Sequence, residues 1–214
     1  MAFMTAFVES FFFNPDSRTY WHPNHYGLKS EAFSCKTSDG NQLSGIVIPA
    51  QGKKVQTVKG TVLFFHAGTM NREYHLVQPR FMAEAGFNVA IFDYSGFGES
   101  TGKASLESLL PDGEAVIGFL DQSPWKQDRY VFFAQGEGCD AALQLADKHP
   151  ARIASLILES CYATRRGWVK DRWGPVIGHV AASQIECKAV EPAEALSRVK
   201  VPLLLIYPGD DSFV

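Results

Sequence analysis

The sequence predicts an α/β fold: a mostly parallel sheet flanked by helices and opened by an antiparallel β-hairpin. The first sign is a set of apolar runs without polar alternation, Thr61 to Phe65, Phe87 to Phe92, Tyr130 to Ala134, Ile153 to Leu158 and Val201 to Tyr207. Strands buried on both faces read this way. The second is that helix-length segments separate them, as connections between parallel strands require. The third is where the unusual residues fall: His66-Ala67-Gly68, Asp93-Tyr94-Ser95-Gly96, Gln135-Gly136-Glu137, Glu159-Ser160-Cys161 and Pro208-Gly209-Asp210-Asp211 each follow one of these runs. Ligands of open parallel sheets sit at the carboxyl ends of the strands.

The elements follow in order within one domain spanning 1–214. Residues 1–28 read as an N-terminal extension. Its opening MAFMTAFVESFFF is apolar but short and interrupted by Glu9, whereas a spanning helix needs ~20 apolar residues. It also lacks the basic start of a signal peptide. Residues 1–13 are expected to pack as a helix on the domain or a partner, in preference to contacting a membrane. Asn14-Pro15-Asp16 and His22-Pro23-Asn24 are turns, with Tyr20 and Trp21 laid over the domain's edge. Ser30 to Lys36 and Leu43 to Ile48 form a hairpin around Ser38-Asp39-Gly40-Asn41. Beyond the polar Gln51 to Lys59 loop, helices are expected over His75 to Glu84, Leu106 to Asp121, Gly138 to Lys148 and Pro192 to Arg198. Pro150 stops the third of these. Ala163 to Ser183 reads as irregular helix, and 163–198 as a lid-like insertion.

Composition excludes several functions. Twenty Lys and Arg stand against 23 Asp and Glu, scattered, for a net charge of −3. No nucleic-acid face is implied. Cys35, Cys139, Cys161 and Cys187 lie far apart, with no C-x-x-C and no histidine spacing that suits zinc. Reduced thiols in a cytoplasmic protein are expected, with no metal and no organic cofactor.

Arg129 to Pro150 is the stretch that carries chemistry. A buried strand, a turn too short for anything but a sharp reversal, and a helix make the shape of a nucleophile elbow, G-x-S-x-G. Here it reads Ala134-Gln135-Gly136-Glu137-Gly138, with glycine in the nucleophile's place. Cys139, three positions further on, is a poor substitute nucleophile because Glu137 and Asp140 oppose a thiolate. The same stretch fits G-x-G-x-x-A over 136–141, with Glu159 about 20 residues later, which is a dinucleotide fingerprint. Two points weigh against that alternative: the fingerprint normally opens its domain, and Glu137 would face the phosphates.

Taken together, NPDSRTYWHPNHYGL, GTVLFFHAG, FNVAIFDYSGFGESTG, the elbow, ILESCY and VPLLLIYPGDDSFV resemble the α/β-hydrolase superfamily, in the esterase and peptidase branch related to the prolyl oligopeptidase catalytic domain. The resemblance implies an α/β-hydrolase fold whose final strand and helix are missing from these 214 residues. It places the vestigial nucleophile position at Gly136 and the triad acid at Asp211, with Asp210 its competitor. It places backbone oxyanion donors near Gly68 and at Glu137, and lets Ser160 face a ligand. The family's histidine follows one further strand, and none of His22, His25, His66, His75, His149 or His179 stands there. His66 reads as a structural brace, beside Ala67 where the family usually has glycine. Losing a triad serine or histidine costs about a millionfold in turnover. The expectation is therefore a degenerate Ser-His-Asp triad in a non-catalytic protein that binds a small acyl or peptide-like ligand or a partner. The alternative is an ester or peptide hydrolase whose active form has serine at position 136 and a longer C-terminus. A bare sheet edge at Val201 to Tyr207 would also invite a homodimer.

Overall fold

The computed structural model describes residues 7, 9–52 and 55–207. Seven strands form one sheet: β1 Glu31–Lys36, β2 Gln42–Ile48, β3 Gly60–Phe65, β4 Phe87–Phe92, β5 Tyr130–Gln135, β6 Ile153–Glu159 and β7 Leu203–Ile206. Their order is β1-β2-β4-β3-β5-β6-β7. The hairpin partners β1 and β2 are antiparallel, β2 is antiparallel to β4, and every other pairing is parallel. The longer helices are α1 Leu109–Asp121, α2 Gly138–Lys148, α3 Arg165–Trp173, α4 His179–Ser183 and α5 Pro192–Arg198.

The unalternating runs are explained by two cores. Leu63 and Phe65 of β3 face one side, against residues of α1, α2, α3 and α5. Val62 and Phe64 face the other, against Leu76, Met82 and Ala83. The chain passes from β3 to β4 on one side and then to β5 on the other. The crevice of such a sheet opens at that switch, above the carboxyl ends of β3 and β5.

Three expectations need correction. The helix expected over His75 to Glu84 is two short ones, Arg72–His75 and Arg80–Glu84. Asn71 starts the first early, its side chain accepting from the Glu73 and Tyr74 amides, and Pro79, which lacks an N–H, interrupts the run. α1 begins at Leu109 and not Leu106, because Ser105 to Ser108 close a turn on themselves. β7 starts only at Leu203, after Pro202, whose ring removes a ladder donor. Where it is described, the N-terminal segment packs on the domain. Phe11, Phe12 and Phe13 are buried, and Asn14–Pro15 pair in parallel with Thr69–Met70.

Glu9 anchors this segment by accepting the Leu106 N–H at 3.0 Å. Burial pushes its carboxyl up to about 7. A carboxyl raised above its unfolded value favours the protonated folded state, so its contribution is complete in acid and is lost as pH rises through 7. The buried His66 and His75, both lowered by burial, act in the opposite sense only below about 6.5. The melting temperature of the wild type should therefore fall between pH 6.5 and 8. Glu9→Gln, which keeps an acceptor for Leu106, should flatten that slope. An unchanged slope in thermal melts would contradict this role.

β7 carries Leu203, Leu204, Leu205 and Ile206, exposed by 38% to 53%. The sheet thus presents an apolar edge strand among the described residues.

Candidate ligand cleft at the elbow

Gly136 sits at the crest of the turn between β5 and α2 with φ of +54°. Left-handed backbone there is nearly free for glycine and strained for other residues. The turn is fixed on both sides: the Gly136 N–H donates to the Glu159 carbonyl at 2.9 Å, and its carbonyl accepts from Cys139 N. A Cβ at Gly136 would stand 3.2 Å from the Ala67 methyl, tighter than ordinary contact. Gly138 is required for a different reason, since a Cβ there would lie 2.2 Å from the Phe65 carbonyl oxygen. α2 can approach β3 this closely only through a glycine.

The elbow's next residue changes its chemistry. Glu137 is buried, and its Oε2 accepts the Gly68 N–H at 2.7 Å. Burial pushes the carboxyl above the ordinary range, against the opposing pull of the Gly68 amide and of Glu137's own amide. These are the two backbone donors expected to serve an oxyanion. The sequence reading left them open to a ligand; in the folded chain the Gly68 N–H is taken by the Glu137 carboxyl. Gly68 is pinned from the other side too, its carbonyl accepting from Asn14 N at 2.7 Å.

Gly136, Glu137 and Ser160 line one cleft of about 440 Å³, and Thr69, next to Gly68, lines it as well. Its other walls are Phe11, Phe12 and Phe13 of the N-terminal segment and Trp168, Arg172 and Trp173 of α3. Phe12 stacks on Trp168 with ring centroids 5.1 Å apart. Ser160 closes β6 with φ of +52°, uncommon for a residue that is not glycine. Its N–H donates to the Ile206 carbonyl at 2.9 Å. Held left-handed backbone concentrates at functional positions. Asp211 and its competitor Asp210 lie outside the described residues.

None of the residues lining the cleft is a histidine. His66 is wholly buried, its Nδ1 against the Ala67 carbonyl at 2.7 Å and its ring stacked on His75. Burial holds its basicity well below the usual imidazole value, so it braces the loop as a neutral ring. Cys139 is buried in the first turn of α2, and burial pushes its thiol well up, away from a reactive thiolate. Among the described residues, no group of three or more His, Cys, Asp or Glu could hold a metal ion.

The sequence reading missed the support behind the cleft. Asp140, in the first turn of α2, forms a fully buried ion pair with Arg165 of α3. Tyr162 and Gln144 also donate to that carboxylate, both at 2.9 Å. No local signal marked it, because Asp140 shares its helix face with Gln144 and Asp147 and reads as an ordinary surface group. The loop after β4 is held similarly: Asp112 accepts from the Ser95 amide and hydroxyl, and Asp93 pairs with Arg72.

A seven-stranded sheet of this order, with a tight elbow after its fifth strand and the cleft above it, defines an α/β-hydrolase. Within that superfamily the chain belongs to the serine aminopeptidase S33 family, whose model matches residues 56–186. It is 31% identical over 210 residues to the uncharacterized protein YfhR of Escherichia coli K12, covering 96% of this chain and 70% of that protein. The lysophosphatidylserine lipase ABHD12 of Danio rerio is 23% identical, over 76% of this chain and 46% of that protein. Among solved structures, an esterase of Pyrococcus furiosus superposes with a TM-score of 0.72 at 21% identity, over 95% of this chain and 80% of its own. An α/β-hydrolase of Vibrio vulnificus gives 0.78 at 14% identity, over 100% of this chain and 79% of its own.

Proposed function

We propose that this α/β-hydrolase binds a small acyl or peptide-like ligand in the elbow cleft and does not hydrolyse it. The observation that carries this reading is the Glu137 carboxylate seated on the Gly68 amide beside a crest with no side chain. A developing oxyanion would find the Gly68 donor already taken by the Glu137 carboxyl, where acyl transfer needs converging donors. No hydroxyl stands at position 136 to form an acyl-enzyme. The wall of Phe11, Phe12, Trp168 and Trp173 suits an apolar chain, and the lipase relative's name supports an acyl ligand. A dinucleotide at 136–141 fares worse, because the same carboxylate would abut its pyrophosphate.

The test is a paired assay. p-Nitrophenyl butyrate should be hydrolysed no faster than in buffer, and a fluorophosphonate probe should leave the protein unlabelled. Monolaurin, used as an acyl probe, should change tryptophan fluorescence saturably, and Trp168→Ala should weaken that response. Ester turnover above background would sink the non-catalytic half of the proposal. A featureless monolaurin titration would sink the binding half.

A further inference from the structure

The cap formed by α3, the turn Gly174–Gly178 and α4 wears its apolar stripe on the wrong side for a globular protein. Trp173 ends α3, and Val176, Ile177 and Val180 follow it along the π-helical turn Gly174–Gly178 and α4, a run of large apolar side chains that a globular protein ordinarily turns to its core. Here they are 44%, 75%, 56% and 59% exposed. The face turned inward is built from Val169, Gly178, Ala181 and Ala182. A Cβ at Gly178 would stand 2.8 Å from the Lys170 Cα, so the small residues bring this turn tightly onto α3 and leave the large ones outside. An aromatic chain extends the stripe: Trp173 meets Phe11 edge-on at 4.9 Å, and Phe11 meets the exposed Phe7 at the same distance.

The charges around this stripe run against those of the whole chain. Arg166, Lys170 and Arg172 are exposed on the cap, against Asp171, while Arg165 is neutralised by Asp140 in the interior. The chain as a whole carries −3. We infer that this cap is a docking surface for an anionic lipid bilayer. Phe7, Trp173, Val176, Ile177 and Val180 enter the headgroup region and the cations meet lipid phosphates. An apolar face with aromatic residues and a cationic flank is the chemistry of an interfacial helix. A second copy of the chain fits less well, because a two-fold contact through this face would set the same cationic rim against itself. Among the described residues no helix is long and apolar enough to cross a membrane, so the contact is with the surface. It is centred on α3 and α4 rather than on residues 1–13.

Flotation of the whole chain with vesicles tests this. Phosphatidylcholine vesicles containing about 30% phosphatidylglycerol should carry the protein upward, and pure phosphatidylcholine should carry about tenfold less. Added salt should weaken the binding. Lys170→Glu should reduce it about fivefold or more, and Ile177→Asp together with Val176→Asp should abolish it. All three positions are exposed, so the melting temperature should stay near wild type. Tryptophan emission should shift to the blue on anionic vesicles, and Trp173→Phe should remove most of that shift. Absence of flotation, or flotation unaffected by Ile177→Asp, would overturn the inference. So would a dimer in light scattering that Ile177→Asp dissociates, without any vesicle binding.

Discussion

Replacing Arg165 with alanine should lower the melting temperature by about 10 °C. The guanidinium is wholly buried and spends its donors on fixed partners. Nε and Nη2 grip the two Asp140 oxygens at 2.7 Å each, while Nη1 and Nη2 donate to the Ala189 and Val190 carbonyls at 3.0 and 2.9 Å. The Arg165 amide donates to Glu191. One side chain therefore ties the segment before α5, and α3 itself, to the first turn of the elbow helix. Removing it leaves a carboxylate sealed from water with only Tyr162 and Gln144 as donors, a loss of about 3 to 5 kcal/mol. In a domain of this length each kcal/mol moves the midpoint by about 2 to 4 °C. Arg165→Lys should fall between wild type and alanine, since an ammonium keeps the charge but cannot make the two-pronged grip. Arg165→Met combined with Asp140→Leu should recover much of the loss, because no charge is then stranded. A drop of under about 2 °C for Arg165→Ala in thermal melts would mean water reaches Asp140 and the ion pair is not sealed. Because Trp168 rides on α3, the alanine variant should also bind monolaurin less tightly.

The difference between what sequence reading found and what it missed follows from distance along the chain. Unalternating apolar runs such as Val62 to Phe65 report burial on both faces locally, so the sheet and its helices were legible. The glycine at position 136 was legible because a sharp reversal needs only a few consecutive residues. Glu137 stood out as an odd residue, but its partner Gly68 lies 69 positions away, and no local pattern says that a carboxylate will turn back onto that amide. Asp140 and Arg165 are 25 positions apart, and their charges read as two ordinary surface groups until the fold brings the start of α3 to the first turn of α2. The helix expected over His75 to Glu84 failed for the opposite reason. Its apolar spacing was read correctly, but Pro79 and the Asn71 cap are local signals that outweigh periodicity.

Gly136→Ser should destabilise the protein by about 1 to 3 kcal/mol and still yield no esterase. Two physical effects combine at this position. A side chain must tolerate φ of +54°, and its Cβ must find room 3.2 Å from the Ala67 methyl. The second effect makes a sharper prediction than the first. Ala67 stands where the resembling family usually carries glycine, so the missing nucleophile and the extra methyl occupy one space between them. In a double-mutant cycle, Ala67→Gly alone should cost about 0.5 to 1 kcal/mol through backbone entropy. Combined with Gly136→Ser it should cost less than the sum of the two single changes, by about 0.5 kcal/mol or more. Strict additivity would show that the methyl is no obstacle and that only backbone strain opposes serine. On the proposed non-catalytic reading, both serine variants should lack esterase activity for a reason independent of stability. The new hydroxyl would have no lining histidine to take its proton, and the Gly68 amide it needs would remain bound to the Glu137 carboxylate. Turnover of p-nitrophenyl butyrate by the doubly substituted protein would require that carboxylate to leave, and would return the cleft to the hydrolases.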